Sequence, residues 1–367
     1  MKNWLQEYLR CPSCHSQVKL ETLEVQTDEI WSGILTCENS LCGSWYPIIR
    51  GIPRMLPESL RSQLTKEFLE TFQDQLEDRK FTGIDTTLSA DNLHQLKKET
   101  IQNFGFEWIQ YARFGWDDPI YNIEREEKVF HYKSLLNPDE LTGKVVLDAG
   151  CGNGRYTYWA AQHADRVIGI DLGDGVESAA ENTQKMKNVQ IVQGDIFNLP
   201  FHDSCIDVIF SIGVLMHTGD AARATASLAS KLKPQSSLTV HLYGKGNPIY
   251  EFVDRKLRDR TTRMTIQELQ HFTNRAYRLR HALDQLHISK LINLFVRLDS
   301  HPHCIFDWYA APIATHHTYE EVEQWFKRLG INILVTNAYR KQDNRFLALL
   351  KSFLAAPTVT VRGIRES

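Results

Sequence analysis

Three glycines at alternate positions form the most informative chemical pattern in this 367-residue chain. Gly150, Gly152 and Gly154 follow an apolar run, residues 145–149, that contains Asp148. We predict a buried strand, a tight turn and a helix, because glycine adopts backbone angles that side chains forbid and lets a ligand approach the main chain. Asp148 would repel a pyrophosphate but attract an ammonium or sulfonium group. The pattern favours a nucleotide-like ligand with a positive charge; a tight turn without a ligand is the alternative.

Later apolar runs of the chain also end in polar residues. Asp171 lies about twenty residues after the glycines, where a carboxylate accepts the two ribose hydroxyls of a nucleotide. Asp195 and Ile196 end a third run and suit the amine and the apolar face of a purine. A fourth run, residues 206–212, leads to His217. Because parallel strands of such a sheet bind ligands at their carboxyl ends, we expect these side chains to meet there. Two neighbouring residues complete the predicted cofactor contacts: Leu172 and Ser211.

The order of these motifs over residues 126–243 resembles the class I S-adenosylmethionine-dependent methyltransferases, near the type 11 branch. The resemblance implies an α/β fold with a Rossmann-like sheet of seven strands and helices on both faces. It also implies that S-adenosyl-L-methionine is the cofactor. By position, Asp148 and the three glycines would hold its methionine end, Asp171 the ribose, and Asp195 with Ile196 the adenine. Met216 stands where many relatives carry a second histidine, so a catalytic role for His217 stays open.

Four cysteines near the amino terminus form a second cluster. Cys11 and Cys14 are two residues apart, and Cys37 and Cys42 follow about two dozen residues later, a spacing typical of structural zinc sites with four thiolates. We expect Zn²⁺, because a short segment with little apolar material needs a metal to fold. Residues 7–57 resemble the small zinc-ribbon activators of tRNA and protein methyltransferases. The pair Cys37 and Cys42 is two residues wider than the common form, and His15 is the alternative ligand.

A long, mostly helical insertion follows the predicted fifth strand, residues 237–243, and is a natural lid and substrate pocket. Residues 245–306 contain eleven Lys or Arg against six Asp or Glu, an excess of five positive charges. This excess indicates an anionic acceptor, or else a solvated helical face. A capping box, Thr318 to Glu321, predicts the next helix, residues 331–337 the sixth strand, and residues 346–350 the antiparallel seventh.

Methyl transfer to a hydroxyl requires a group that takes its proton, and histidine titrates in a suitable range. Four residues near the predicted sheet edge are candidates for the catalytic groups: His217, His316, His317 and Asp307. Any one of them can equally be structural. Aromatic residues in the segment 104–116 are expected either to cover the cofactor or to pack the amino-terminal helices on the sheet.

Composition excludes several other classes of protein. The net charge of −3 carries no argument for nucleic acid, although a nucleic-acid substrate is not excluded. No apolar run reaches the length of a transmembrane helix or a signal peptide, so we expect a cytoplasmic protein. The predicted activity is methyl transfer to oxygen of a small or carrier-linked acceptor. An RNA methyltransferase that uses the ribbon and the basic insertion is one alternative, and a non-catalytic scaffold with this fold is another.

These patterns divide the chain into six segments. They are a zinc ribbon, a helical connector with a cofactor cap, the first part of the catalytic core, the helical insertion, the second part of the core, and a tail. Their boundaries are residues 1–57, 58–125, 126–243, 244–312, 313–351 and 352–367.

Overall fold

The computed structural model describes residues 1–57, 60, 61, 63–76, 92–118, 121–337 and 358–366. The amino-terminal segment folds into four antiparallel strands. They are β1 (Val18–Gln26), β2 (Glu29–Cys37), β3 (Trp45–Ile49) and β4 (Ile52–Met55). A tight turn at Arg50 and Gly51, both with positive φ, joins β3 to β4.

Seven strands among the described residues form the core sheet. They are β5 (Val145–Ala149), β6 (Arg166–Asp171), β7 (Val189–Gly194), β8 (Ile206–Ile212), β9 (Leu232–Tyr243), β10 (Ile331–Thr336) and β11 (Thr358–Arg365). Their order is β7-β6-β5-β8-β9-β11-β10, and β5 to β9 run parallel. All residues of β5 and β7 are buried, as expected for parallel strands covered on both faces. The predicted α/β fold is confirmed.

The helices come from the connector, the core and the insertion. The connector contributes α1 (Gln63–Thr71), α2 (Asn92–Gln110) and α3 (Ile123–Ser134), and the core contributes α4 (Arg155–Ala161), α5 (Gly175–Thr183) and α6 (Ala221–Lys231). The insertion forms α7 (Pro248–Thr261), α8 (Ile266–Gln285), α9 (Ser289–Ile292) and α10 (Pro302–Ala310), and the core resumes with α11 (Tyr319–Arg328). The capping box of Thr318 and Glu321 is present at the start of α11. No helix in the described part of the chain is long and apolar enough to cross a bilayer.

The seventh strand differs from the prediction. Residues 346–350, predicted as this strand, lie outside the described residues. The strand is β11, inside the segment predicted as a tail, and it is antiparallel to both β9 and β10. Charged residues in β11 do not look like a buried strand in the sequence. Arg362 is nevertheless buried, where it pairs with Glu140 at 2.7 Å. A buried arginine with a carboxylate partner is compatible with a central strand, although sequence patterns treat it as a surface residue.

The ribbon is part of the same sheet as the core. Strand β4 pairs in parallel with β7, at Arg54 with Gln193 and Met55 with Gly194, so one sheet of eleven strands spans both segments. Arg54 is buried, and its guanidinium contacts Glu177 of α5 at 2.5 Å. The ribbon thus covers the edge strand of the core.

Candidate active site

The three glycines have the backbone angles that the sequence predicts, with φ of 90°, 53° and 82° at Gly150, Gly152 and Gly154. The prediction was that glycines are needed here so that a ligand can approach the main chain, but protein side chains occupy this space at two of them. A Cβ on Gly150 would lie 2.2 Å from Val214, and one on Gly152 would lie 2.8 Å from the Trp108 ring. The space beside these glycines therefore holds the protein's own side chains. Close packing and positive φ both require glycine here.

Asp148 lies beneath the turn and does not line the cavity described below. Its Oδ2 accepts a hydrogen bond of 2.6 Å from the hydroxyl of Thr157 in α4. Burial raises the pKa of Asp148 to about 7, which reduces its negative charge at neutral pH. This placement differs from the predicted direct contact with a cationic ligand, because the side chain points into the core and joins β5 to α4.

Asp171 lies at the carboxyl end of β6 and faces the cavity together with Leu172. One carboxylate oxygen accepts the backbone N–H of Gly152 at 3.0 Å, and the other accepts that of Gly173 at 3.0 Å. Both oxygens are thus held by the main chain and keep further lone pairs toward the cavity. Burial raises the pKa of this carboxyl group. The arrangement suits a ligand with two neighbouring hydroxyl groups.

Asp195 and Ile196, at the end of β7, also line the cavity. The Asp195 side chain accepts the backbone N–H of Phe197 at 2.9 Å, which holds it at the start of a short 3₁₀ helix. Ser211 is placed differently from the prediction. Its hydroxyl donates to the Ala149 carbonyl at 2.7 Å, it is fully buried, and it is absent from the cavity wall. It joins β8 to β5.

The cavity has a volume of about 500 Å³, within the usual range of small-ligand pockets, about 300–1,000 Å³. It extends from the glycine turn, past the ends of β6, β7 and β8, to α10 of the insertion. Helix α2 lines it with one face, since Ile101, Phe104 and Trp108 are three to four residues apart. Trp108 thus both covers the cavity and packs on the turn, whereas Phe104 packs on His217.

His217 has one paired and one unpaired ring nitrogen. Nδ1 lies 2.7 Å from the carbonyl oxygen of Ile313, which can only accept, so Nδ1 carries the proton and Nε2 a lone pair. Nε2 is buried and has no hydrogen-bond partner among the described residues. Burial lowers the pKa of His217 to about 4, so the ring is neutral at pH 7. The His217 ring lines the cavity, and its buried Nε2 keeps an unused lone pair.

The other predicted catalytic residues separate into two groups. Asp307 of α10 lines the cavity and lies 3.5 Å from the hydroxyl of Tyr243, and burial raises its pKa. His316 and His317 do not line it. His316 Nδ1 lies 2.7 Å from Glu251, whereas Nε2 of His317 lies 2.8 Å from the Thr315 hydroxyl and its ring packs on Trp325. Of the four predicted catalytic residues, only His217 and Asp307 line the cavity.

Sequence patterns missed a buried pair, Glu107 of α2 and His303 of α10. Glu107 is fully buried, His303 lines the cavity, and Glu107 Oε1 lies 2.9 Å from His303 Nδ1. The two residues are almost 200 positions apart, so no local spacing relates them. The signal that could have drawn attention is a glutamate among aromatic residues in the segment 104–108.

The basic residues of the insertion do not converge on the cavity. Of the eleven Lys and Arg in residues 245–306, all of which the structure describes, Arg297 alone lines it. Arg297 forms an ion pair with Asp299 at 2.7 Å, and Arg155 from the core pairs with Glu126 at 3.2 Å. The excess positive charge therefore belongs mainly to other surfaces of the insertion.

The family model described as a methyltransferase domain, type 11, matches residues 147–240. This range begins in β5 and ends in β9, and it contains the glycine turn, Asp171, Asp195 and His217. These residues are similar to a methyltransferase domain. Residues outside the matched range, among them Trp108, His303 and Asp307, complete the cavity of this domain.

Two curated proteins with O-methyltransferase names are similar to this chain. An O-methyltransferase of Aspergillus nomiae is 28% identical, over 37% of this chain and 62% of that protein. The ubiquinone biosynthesis O-methyltransferase of Coxiella burnetii is 32% identical, over 41% of this chain and 63% of that protein. The chain thus spans less than two thirds of the length of each.

Distant likenesses among solved structures include two chains. A chain from a complex with the Haloferax volcanii Trm112 methyltransferase activator is 15% identical, with a TM-score of 0.42, over 72% of this chain and 98% of that chain. The Burkholderia thailandensis 1,6-didemethyltoxoflavin-N1-methyltransferase, solved with S-adenosylhomocysteine, is 14% identical, with a TM-score of 0.44, over 77% of this chain and 93% of that chain.

The four cysteines of the ribbon form a compact group near the edge of the sheet that lies farthest from β10. Sγ of Cys11 lies 3.7 Å from that of Cys42, and Sγ of Cys14 lies 3.4 Å from that of Cys37. All four sulfurs lie within 4.8 Å of one another. Tetrahedral zinc with bonds of about 2.3 Å requires sulfurs about 3.8 Å apart, so the group fits a zinc ion. None of residues 1–57 lines the cavity.

Proposed function

We propose that the protein transfers a methyl group from S-adenosyl-L-methionine to a hydroxyl oxygen of a small acceptor. The observation that carries this proposal is His217, which lines the same cavity as Asp171 and Asp195 and whose Nε2 has no hydrogen-bond partner among the described residues. A neutral imidazole that is fixed as a hydrogen-bond acceptor suits a hydroxyl group. The O-methyltransferase names of two relatives support the same choice.

Two parts of the cofactor, the ribose and the adenine, would have contacts in the cavity. Asp171, held by two backbone N–H groups, would accept the ribose hydroxyls, and Leu172 would contact the sugar. Asp195 would accept the adenine amine, and Ile196 would cover the ring face. The cofactor, when bound, supplies a methyl group on a positively charged sulfur.

The described residues would act on the acceptor mainly by positioning it and excluding water, since methyl transfer is a direct displacement. His217 accepts the hydrogen bond of the acceptor hydroxyl at Nε2, which orients the oxygen. A weakly basic nitrogen is sufficient, because the hydroxyl proton becomes strongly acidic as its oxygen is methylated. His217 then holds that proton, while Nδ1–H remains bonded to the Ile313 carbonyl.

We further propose that the four ribbon cysteines bind a structural zinc ion. Four protein ligands leave no open coordination position, so the ion would not take part in methyl transfer. Through β4, which pairs with β7, the ribbon stabilises the sheet edge that ends at Asp195. The ion would thus support the adenine end of the cavity indirectly.

Titration calorimetry with S-adenosylmethionine and S-adenosylhomocysteine tests the cofactor assignment and the scaffold alternative together. We expect binding of both, and absence of binding would reject the proposal. Methyl transfer to hydroxylated acceptors, followed by release of S-adenosylhomocysteine, then tests the activity. His217→Asn should lower kcat at least tenfold with unchanged cofactor affinity, because Nε2 does not contribute to the cofactor contacts.

A tRNA acceptor is the second candidate. The tRNA U34 carboxymethyltransferase of Desulfotalea psychrophila is 30% identical over 36% of this chain and 42% of that protein. The basic residues of the insertion that lie outside the cavity favour a phosphate-bearing partner. Methylation of bulk tRNA, with affinity that falls steeply as salt rises, would support this candidate over a small acceptor.

A further inference from the structure

Exposed apolar side chains are concentrated in the helical insertion. Six of the twelve large apolar side chains that are exposed in the described part of the chain belong to residues 245–306. They are Ile249, Phe252, Leu279, Leu286, Ile288 and Leu291. None of these six lines the cavity, so the proposed methyl transfer does not account for them. A cluster of exposed apolar side chains marks a contact with another surface.

Three of these side chains lie at the junction of α8 and α9. Leu286 is 67% exposed, Ile288 is 39% exposed and Leu291 is 59% exposed. The chain turns between the two helices at His287, whose φ is 58°. Side chains that are exposed to this extent protrude from the surface and do not line a groove. Leu286, Ile288 and Leu291 therefore form an apolar tip.

The outer face of α8 leads to the apolar tip and combines apolar with basic side chains. Leu279 and Ala282 are exposed and share one face with Leu286, because they precede it by seven and four residues. Arg275 and Arg278 are also exposed, and each lies one helical turn before one of these apolar residues. Apolar and basic side chains side by side are typical of helices that lie in a membrane interface.

The start of α7 lies at the same end of the insertion. The side-chain amide of Asn247 donates to the carbonyl of Leu294, three residues after the apolar tip, at 2.9 Å. The first turns of α7 carry Ile249 and Phe252, which are 50% and 54% exposed. The ammonium of Lys256 lies 6.0 Å from the centre of the Phe252 ring. Two separate segments thus bring exposed apolar side chains and positive charge to one end of the insertion.

The charge around the apolar tip is strongly positive. Residues 269–298 contain five Lys or Arg against one Asp. That acid, Asp284, pairs with Arg280 at 2.9 Å. Arg275, Arg278 and Lys290 are exposed and form no ion pair with any described residue. Three cations without a neutralising partner in this part of the structure attract an anionic surface and repel a basic one.

We propose that the apolar tip rests on the surface of an anionic phospholipid bilayer. Leu286, Ile288 and Leu291 enter the boundary between head groups and acyl chains, and Arg275 and Arg278 contact the lipid phosphates. Apolar burial and charge attraction then act together, as in other proteins that bind membranes at the interface. This inference does not depend on the proposed methyl transfer.

A lipid surface matches both parts of this pattern better than RNA or a folded protein does. RNA would attract the cations, but proteins hold its bases by stacking on aromatic or arginine side chains, whereas the apolar tip is wholly aliphatic. A folded protein would need a groove of fixed shape that fits a protruding tip. A bilayer deforms around protruding side chains, and its phosphates neutralise the cations.

Co-sedimentation of the full-length protein with vesicles tests the proposal. We expect binding to phosphatidylcholine vesicles that contain about 30% phosphatidylglycerol to be at least tenfold tighter than binding to phosphatidylcholine alone. This binding should weaken as the salt concentration rises, because salt screens the attraction between cations and phosphates. Equal affinity for both kinds of vesicle, or binding to neither, would overturn the proposal.

The double variant Leu286→Gln/Leu291→Gln tests the apolar contact. Its affinity for the anionic vesicles should fall at least tenfold, because polar side chains gain nothing from entering the lipid. Its melting temperature should match that of the wild type, since both positions are exposed. Leu334→Gln/Val335→Gln removes two exposed apolar side chains from β10 and should bind as the wild type does. Equal affinity of the two double variants would contradict a contact at the tip.

The double variant Arg275→Gln/Arg278→Gln tests the charge. Its affinity for the anionic vesicles should fall about 25-fold, about fivefold for each charge removed near the lipid surface. Lys185→Gln/Lys187→Gln removes two exposed charges from the chain just before β7 and should leave the affinity unchanged. Similar losses in both variants would show that overall charge, and not the face of α8, attracts the vesicles.

Hydrogen exchange measured by mass spectrometry locates the contact in the wild-type protein. With anionic vesicles we expect slower amide exchange in residues 279–292 and unchanged exchange in β10. Protection elsewhere, with none in residues 279–292, would refute the proposal. So would binding of bulk tRNA that depends on Arg275 and Arg278 in a protein that ignores the vesicles, because the face would then bind nucleic acid. These measurements use neither cofactor nor methyl acceptor, so their failure is distinct from failure of the proposed function.

Discussion

Replacement of His217 by asparagine should change how the stability of the protein depends on pH. His217 is buried, and burial lowers its pKa to about 4, against about 6.5 in the unfolded chain. Above pH 6.5 both states are neutral, and no stability is lost. As the pH falls from 6.5 towards 4, the unfolded chain binds a proton that the folded chain excludes, so stability decreases. His217→Asn removes this term and can keep the donor to the Ile313 carbonyl.

The magnitude follows from the two pKa values. Each pH unit between them costs about 1.4 kcal/mol. From pH 6.5 to pH 5 the interval is about 1.5 units, so His217 should remove about 2 kcal/mol from the free energy of unfolding. Other histidines, and zinc release at low pH, affect wild type and variant alike and cancel in the difference.

Urea unfolding, followed by tryptophan fluorescence at pH 7 and pH 5, measures this difference. We expect the wild-type protein to lose about 2 kcal/mol more than His217→Asn between the two pH values. The control His281→Asn, at an exposed position of α8, should behave like the wild type. If wild type and His217→Asn lose the same free energy within about 0.5 kcal/mol, His217 is not a buried neutral group and the argument for its Nε2 fails.

Three further predictions concern the cofactor, the metal and the glycine turn. Asp171→Ala should weaken S-adenosylhomocysteine binding about 100-fold in calorimetry, since two hydrogen bonds to a carboxylate are worth about 3 kcal/mol. The control Asp165→Ala should have no effect. Unchanged affinity of Asp171→Ala would place the ribose elsewhere. Cys42→Ser should lower the zinc content measured by metal analysis, with Cys205→Ser as the control that keeps it, and equal zinc in both would contradict the four-thiolate site. Gly150→Ala should lower the melting temperature by several degrees, because its Cβ would lie 2.2 Å from a neighbouring side chain and φ is 90°. An unchanged melting temperature would show that the turn adapts.

Local patterns predicted the core strands well. The apolar runs that end near Asp171, Asp195 and His217 form parallel strands at the predicted positions, because fully buried strands need continuous apolar residues. The strand predicted at residues 346–350 lies outside the described residues, and local patterns missed β11, since its buried Arg362 depends on Glu140, more than 200 residues earlier. A sequence pattern predicts that a charged residue in a strand is exposed unless its buried partner is known.

The candidate site was predictable only in part. Asp171, Leu172, Asp195, Ile196, His217 and Asp307 line the cavity, whereas Asp148, Ser211, His316 and His317 do not. The difference arises from side-chain direction. A strand presents alternate residues to opposite faces, and a loop can turn either way, so proximity in sequence to a strand end does not decide whether a side chain reaches the cavity.

By itself, the sequence determined the positions of β5 to β8 along the chain, the positive φ of the glycine turn and the four cysteines of the ribbon, because each of these depends on residues close together in the chain. Tertiary structure alone decided the pairing of Glu107 with His303, the insertion of β11 between β9 and β10, and the single unpaired nitrogen of His217. These features depend on which distant segments exclude water from one another, and burial of that kind leaves no periodic pattern in the sequence.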